Sequence, residues 1–228
     1  MNKKVKIIVE IALLLVCAGL VYLIYSSIMQ PVRFNRQKDY RESIAVERLK
    51  DIRTIQVAYK SVNGKFTSNL DTLIHFYNNG KMEVVMQVGS ADDSVAVAKT
   101  EALKKKGLKA EDLLKMHLAG EKDLFFSTRS EVAVKDTLAH TLLSPCVDSI
   151  AYMPFTGGKK VNMEAVIKTV SGVNVPLFEA NIPYDDLLKG LDRQLIVNLK
   201  ADCRDKNRFE GLQVGSIETP NNNAGNWE

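Results

Sequence analysis

Histidine and cysteine are scarce, three of each in 228 residues, and their placement removes the commonest metal chemistry. His75, His117 and His140 are scattered. None stands four residues from another or near a cysteine in a ligand spacing, so no metal site is expected. Catalytic motifs are missing too: there is no GxSxG, and no acid–base couple stands out among 27 acidic residues. Gly64-Lys65 and Gly157-Gly158-Lys159 share a Gly-Lys step with phosphate loops. They lack the glycine five residues earlier and the following Ser or Thr, and read as turns. A concentrated basic face is also absent. The net charge of +4 is spread along the chain, which argues against nucleic acid as a partner, and Lys104–Lys106 reads as a solvated helix face. No catalytic residue, metal or cofactor is therefore expected.

What is present is one long apolar run. Residues 7–29, IIVEIALLLVCAGLVYLIYSSIM, contain a single charge, Glu10. A helix of that length spans roughly 35 Å, enough to cross a hydrocarbon core with some tilt. Tyr22 and Tyr25 lie toward its distal end, where aromatic side chains favour the interface, and Pro31 reads as the interruption that ends it. A cleaved signal peptide would be shorter and would end in small residues, unlike Ser26-Ser27-Ile28. A lipoprotein would need a small residue before Cys17, where Val16 stands. The run is therefore read as an uncleaved anchor. Lys3, Lys4 and Lys6 precede it and Arg33, Arg36, Lys38 and Arg41 follow it, so positive charge alone leaves orientation open. The short N-terminal tail and the large C-terminal part predict a cytoplasmic N-terminus. In a bacterium this is a single-pass inner-membrane protein with residues 31–228 in the periplasm, and the lipid bilayer is its first partner. Glu10 in an apolar helix either snorkels to the headgroups and meets Lys6, or pairs in the membrane with a neighbouring subunit. Cys146 and Cys203, in an oxidising compartment, either form a bridge or remain unpaired small hydrophobes. A bridge would close a loop of roughly 60 residues, worth roughly 4 kcal/mol on the chain-entropy model.

Beyond the anchor, residues 36–62 read as a long helix. Ala45, Leu49, Ile52, Ile55, Tyr59 and Val62 form one apolar stripe, with Glu47, Arg48, Lys50, Asp51 and Arg53 on the solvated side. The stripe packs on its own domain or pairs with a second copy as a coiled coil; with fewer than four heptads, the first is favoured. Asn63-Gly64 supplies the helix stop. A second helix is predicted over 68–78, capped by Ser68 or Asn69 and stopped at Asn79-Gly80. The segments 82–89 and 94–100 read as valine-rich strands, and 101–118 as helical with a break at Gly107. Asp92-Asp93 and Asp185-Asp186 read as caps of the segments they introduce. From 131 the pattern turns strand-like through EVAVKDTL, VDSIAYMPF and VNMEAVIKTV. The last leads through Ser171-Gly172 into VNVPLFEANI as a hairpin. A helical turn at YDDLLKGL, then RQLIVNLKA and GLQVGSI, precede a polar tail expected to be mobile unless Trp227 docks. Helices first and mostly strands afterwards predict an α+β fold with an antiparallel sheet. The expected organisation is a tail 1–6, a transmembrane helix 7–29, a juxtamembrane amphipathic helix 30–62, an α+β domain 63–218 and a polar tail 219–228.

On these residues the N-terminal third resembles the type IV pilins and type II secretion pseudopilins. Their long helix has an apolar first half with glutamate at its fifth mature position, then an amphipathic half on which a sheet packs. Glu10 would be fifth in a chain beginning at Lys6. The stretch from Ala58 to Phe66, with Leu70 and Leu73 after it, is similar to the pseudopilin segment that ends this helix at an Asn-Gly turn. Val5 stands where the prepilin peptidase site has glycine, so the resemblance implies a fixed platform component rather than a processed fibre subunit. The closing stretch, GLQVGS to NNNAGNWE, resembles envelope proteins of Bacteroidetes. The function implied is a non-enzymatic structural or assembly component of a secretion or pilus-like machine. Its partners would be other envelope proteins or a second copy, with Glu10 the candidate for pairing in the membrane and Leu49, Ile52, Ile55 and Tyr59 the candidates for helix packing or partner contact outside it. The rival is an anchored sensing or ligand-binding domain with a pocket between sheet and helices.

Overall fold

The computed structural model describes residues 3–144, 146–170 and 172–228, with side chains from Glu10 onward. The Lys6 side chain expected to meet Glu10, those of Lys3, Lys4 and Val5, and all of Ser171 lie outside the described residues.

The chain opens with one helix, α1 (Lys3–Asn63), 61 residues long. Its first part is long and apolar enough to cross a membrane. Pro31 lies inside α1 and does not end it, which corrects the expected break. Proline removes one N–H, a local loss of about 3 kcal/mol in a helix interior. Helix-compatible residues on both sides carry the turn through, and Phe34, buried at 7 % exposure, anchors the next turn. Gly64 ends the helix as expected: its φ is +72° and its N–H bonds the Lys60 carbonyl at 2.8 Å.

The chain divides into two compact units rather than the single domain expected over 63–218. The division follows from segment 54–142 carrying a core of its own.

The first unit takes the chain up to Arg53 together with Leu143–Glu228. Its sheet has the order β3 (Asn162–Val170), β4 (Val173–Pro183), β5 (Gly211–Gly215), all antiparallel. The β3–β4 hairpin closes with Val170 opposite Val173, and Gly172 sits at φ +82°, so the expected hairpin is present. After β4 come the short α6 (Tyr184–Leu187) and α7 (Arg193–Asp205), the latter formed by RQLIVNLKA and capped by Asp192. The segment VDSIAYMPF, expected as a strand, instead makes a 3-10 turn over Val147–Ala151. Ile150, Ala151 and Met153 then point inward together, which strict alternation would not allow. Leu49 and Ile52 are fully buried in this unit, as are Phe178, Ile182 and Val214. The buried Asp51 carboxylate accepts from the Leu143 and Ser144 amides, both at 2.8 Å, and so holds the returning chain on α1.

The tail is docked rather than mobile. Asn226 and Gln213 exchange backbone and side-chain hydrogen bonds, Gly215 N–H bonds the Ala224 carbonyl, and Glu228 pairs with Arg53 at 2.6 Å.

The second unit, Thr54–Leu142, contains the end of α1, then α2 (Leu70–Asn79), β1 (Lys81–Val88), α3 (Ser94–Lys105), α4 (Ala110–Leu118), β2 (Phe126–Ala133) and α5 (Val134–Leu138). Asn69 caps α2 through its side chain, as predicted. β1 and β2 pair antiparallel with Lys81 opposite Ala133. Residues 94–100, expected as a strand, form the first turns of α3. The Asp93 carboxylate accepts from the Val95 and Ala96 amides at 3.1 Å and starts the helix. Ala96 and Thr100 are then the buried positions, spaced i, i+4. Likewise 131–138 is strand only to Ala133 and helix thereafter. Gly107, at φ +92°, separates α3 from α4. Leu113, Leu124 and Phe126 form a small core with Val88, Leu103, Leu114 and Met116 against it.

Candidate functional site

The stripe on α1 is core. Leu49, Ile52 and Ile55 have no exposed surface. Tyr59 is half-buried and meets Phe76 edge-on at 5.1 Å between ring centroids, while Val62 is 46 % exposed. From Ala45 to Ile55 the stripe therefore packs within its own units. Glu10 lies exposed on the apolar part of α1. Cys146 is exposed, Cys203 is half-buried, and both are free thiols, so the bridge considered for them is not formed. Cys203 is turned into a pocket within the first unit, whereas Cys146 sits at the outer edge of the 3-10 turn.

That pocket, about 210 Å³, is where polar groups converge. Lys38 and Glu42 reach it from one face of α1, four residues apart. Tyr184 enters from α6 and Cys203 from α7. Arg208 and Phe209 come from the loop after α7, and Asn226 and Trp227 from the tail. Two glycines make the closure possible. A Cβ on Gly211 would stand 2.3 Å from the Ile182 carbonyl oxygen, so only glycine lets β5 start this close to β4. A Cβ on Gly225 would stand 2.4 Å from the Trp227 ring, so only glycine lets the indole pack this close to the tail backbone.

Electrostatically the pocket is arranged around Glu42. The Lys38 ammonium contacts Glu42 Oε2 and Asp39, each at 3.2 Å. Burial opposes the Lys38 charge, but Glu42 and Asp39 outweigh it and hold its pKa above the usual lysine value. The Tyr184 phenol lines the same pocket as the Glu42 carboxylate. Burial first, and then the Glu42 charge, push that phenol well above the ordinary tyrosine range. Burial, with Asp202 and Glu210 nearby, also pushes the Cys203 thiol upward. It stays protonated at neutral pH, which is the reverse of an activated nucleophile.

Two buried polar atoms on residues lining this pocket, Glu42 Oε1 and Trp227 Nε1, have no hydrogen-bond partner among the described residues. One is an acceptor and the other a donor, and buried polar atoms are normally satisfied. The pocket can therefore receive a small group that both donates and accepts.

Sequence reasoning passed over Glu42, Tyr184 and Trp227 as site residues. Lys38 and Glu42 at i, i+4 and a lone tryptophan were the available signals, but neither points to the other before the tail is folded back. Asp185 and Asp186 were expected as caps and are not: Pro183 holds that position. Asp185 instead pairs with Lys200, which also contacts Glu210, and Asp186 pairs with Lys159. Among the described residues no group of three metal-ligating side chains comes together. Gly157 and Gly158, at φ +73° and +106°, lie in a turn.

Comparison with family models, with curated proteins and with solved structures finds no match to this chain.

Proposed function

We propose that this chain is a non-enzymatic, single-pass membrane-anchored component of an envelope machine of the secretion or pilus-like kind, with its N-terminus in the cytoplasm and its folded units in the periplasm. One observation supports this above the rest. The apolar part of α1 continues without interruption into residues that are fully buried in the folded part. A domain that only needs tethering can hang on a flexible linker. Here the span and the core are one helix, so a displacement in the membrane is transmitted to the domain. The same continuity supports the pseudopilin-like reading of residues 6–66.

The partner surface is not the α1 stripe, which is core. Crosslinking pull-down of the tagged full-length protein from native membranes tests the proposal. Recovery of secretion or pilus components, reduced in Glu10→Ala, is the expected result. Recovery of the chain alone as a monomer overturns it.

A sensing role is the second reading, and the unsatisfied Glu42 and Trp227 atoms favour it. Under that reading a small polar metabolite raises the thermal midpoint of the full-length protein in detergent, and Glu42→Gln abolishes the shift.

A further inference from the structure

Where α1 leaves its apolar part, it forms one wall of a groove of about 440 Å³. Tyr22, Tyr25, Met29 and Arg33 recur at steps of three and four and supply one wall. The loop carrying Asp192 supplies the other. This loop is fixed rather than loose. The Arg41 guanidinium donates to the Leu187 and Lys189 carbonyls at 2.9 and 3.0 Å, and Gln30 donates to Asp192 at 2.6 Å. Asp192 also caps α7 through the Leu195 amide. That bond, followed by the one from Gln30, holds the carboxyl below the usual range, so it is an anion at neutral pH.

The groove is chemically graded along its length. Its end nearer the apolar run is tyrosine and methionine, continuous with exposed apolar side chains such as Val21 and Ile24. Its other end carries both signs of charge. Exposed Arg33 has no ion-pair or hydrogen-bond partner among the described residues. Asp192 keeps lone pairs beyond the two bonds described. Tyrosine rings, a guanidinium and a carboxylate at the end of an apolar span match the layers of a bilayer interface, from acyl chain to phosphate to headgroup.

Resting on the membrane-anchored reading above, we propose that this groove is a binding site for one phospholipid with an amine headgroup. Arg33 takes the phosphate, Asp192 takes the headgroup ammonium, and Tyr22, Tyr25 and Met29 cover the glycerol and upper acyl region. The position of the groove selects the occupant. A site that begins on the apolar span is filled from the membrane, and its two opposite charges favour an ethanolamine headgroup over an uncharged glycerol one.

The full-length protein, reconstituted in vesicles of equal phosphatidylethanolamine and phosphatidylglycerol and then extracted in mild detergent, provides the test. Native mass spectrometry counts the lipid retained on each chain. One phosphatidylethanolamine per chain is expected, at least about ten-fold enriched over phosphatidylglycerol, the size of effect that one such ion pair gives when partly desolvated. Arg33→Glu removes the retention. Leu191→Trp, which fills the groove and keeps both charged residues, removes it as well. Equal retention of both lipids, or retention unchanged in both variants, shows nonspecific boundary lipid and overturns the site. A wild-type chain stripped from vesicles by an alkaline wash overturns the anchored reading itself, and the site with it.

Discussion

Ile52 has no exposed surface and sits on the stretch of α1 that carries Asp51 and its two amide contacts. Truncating it to alanine removes buried methylene groups and leaves a cavity, a change worth about 3 kcal/mol of stability. A denaturant melt of Ile52→Ala should show that loss with no change in oligomeric state; a variant as stable as wild type would mean the stripe is not core. Tyr184 carries a pH signature. Its folded-state pKa is raised, by burial first and by Glu42 second. The stabilisation is therefore present in full below the ordinary tyrosine value of about 10 and is lost as pH rises through that range toward the folded value. Between about pH 8 and about pH 11 the wild type should lose stability faster than Tyr184→Phe. Parallel stability curves for the two would show that the phenol does not contribute this way.

Elements were legible wherever the chain carried its own punctuation. The β3–β4 hairpin, the break at Gly107, the Asn69 cap and the Gly64 stop each rest on one or two residues whose backbone preference leaves few options. What misled was periodicity without punctuation. Residues 94–100 alternate valine with small residues and read as a strand until the Asp93 carboxylate is seen bonding two amides. Pro31 read as a terminator, because one residue's cost is visible in sequence while the stability of the 61-residue helix around it is not. The Glu42 pocket was invisible for a different reason: it needs α1, α6, α7 and the tail in one place. Gly172 offers a clean check on the legible part. Nothing lies within 4 Å of where its Cβ would stand, yet its φ is +82°. Gly172→Ala therefore costs only backbone strain, about 1–2 kcal/mol. A chemical melt that shows no loss would mean that the turn relaxes to another geometry.

The molecule as a whole carries a natural reporter of its orientation. The described chain has three free thiols in three environments. Cys17 lies in the apolar part of α1, where a bilayer would shield it. Cys203 is half-buried and its thiol is pushed upward, which slows its reaction with an electrophile. Cys146 is exposed, at the edge of the 3-10 turn. A membrane-impermeant maleimide applied under mild reduction should therefore modify one site quickly, and Cys146→Ser should abolish that fast phase. If the folded units lie in the periplasm, the fast phase appears in cells whose outer membrane alone has been opened. If it appears only after the inner membrane is broken, the units face the cytoplasm. The envelope-machine proposal then fails on topology, before any partner is sought.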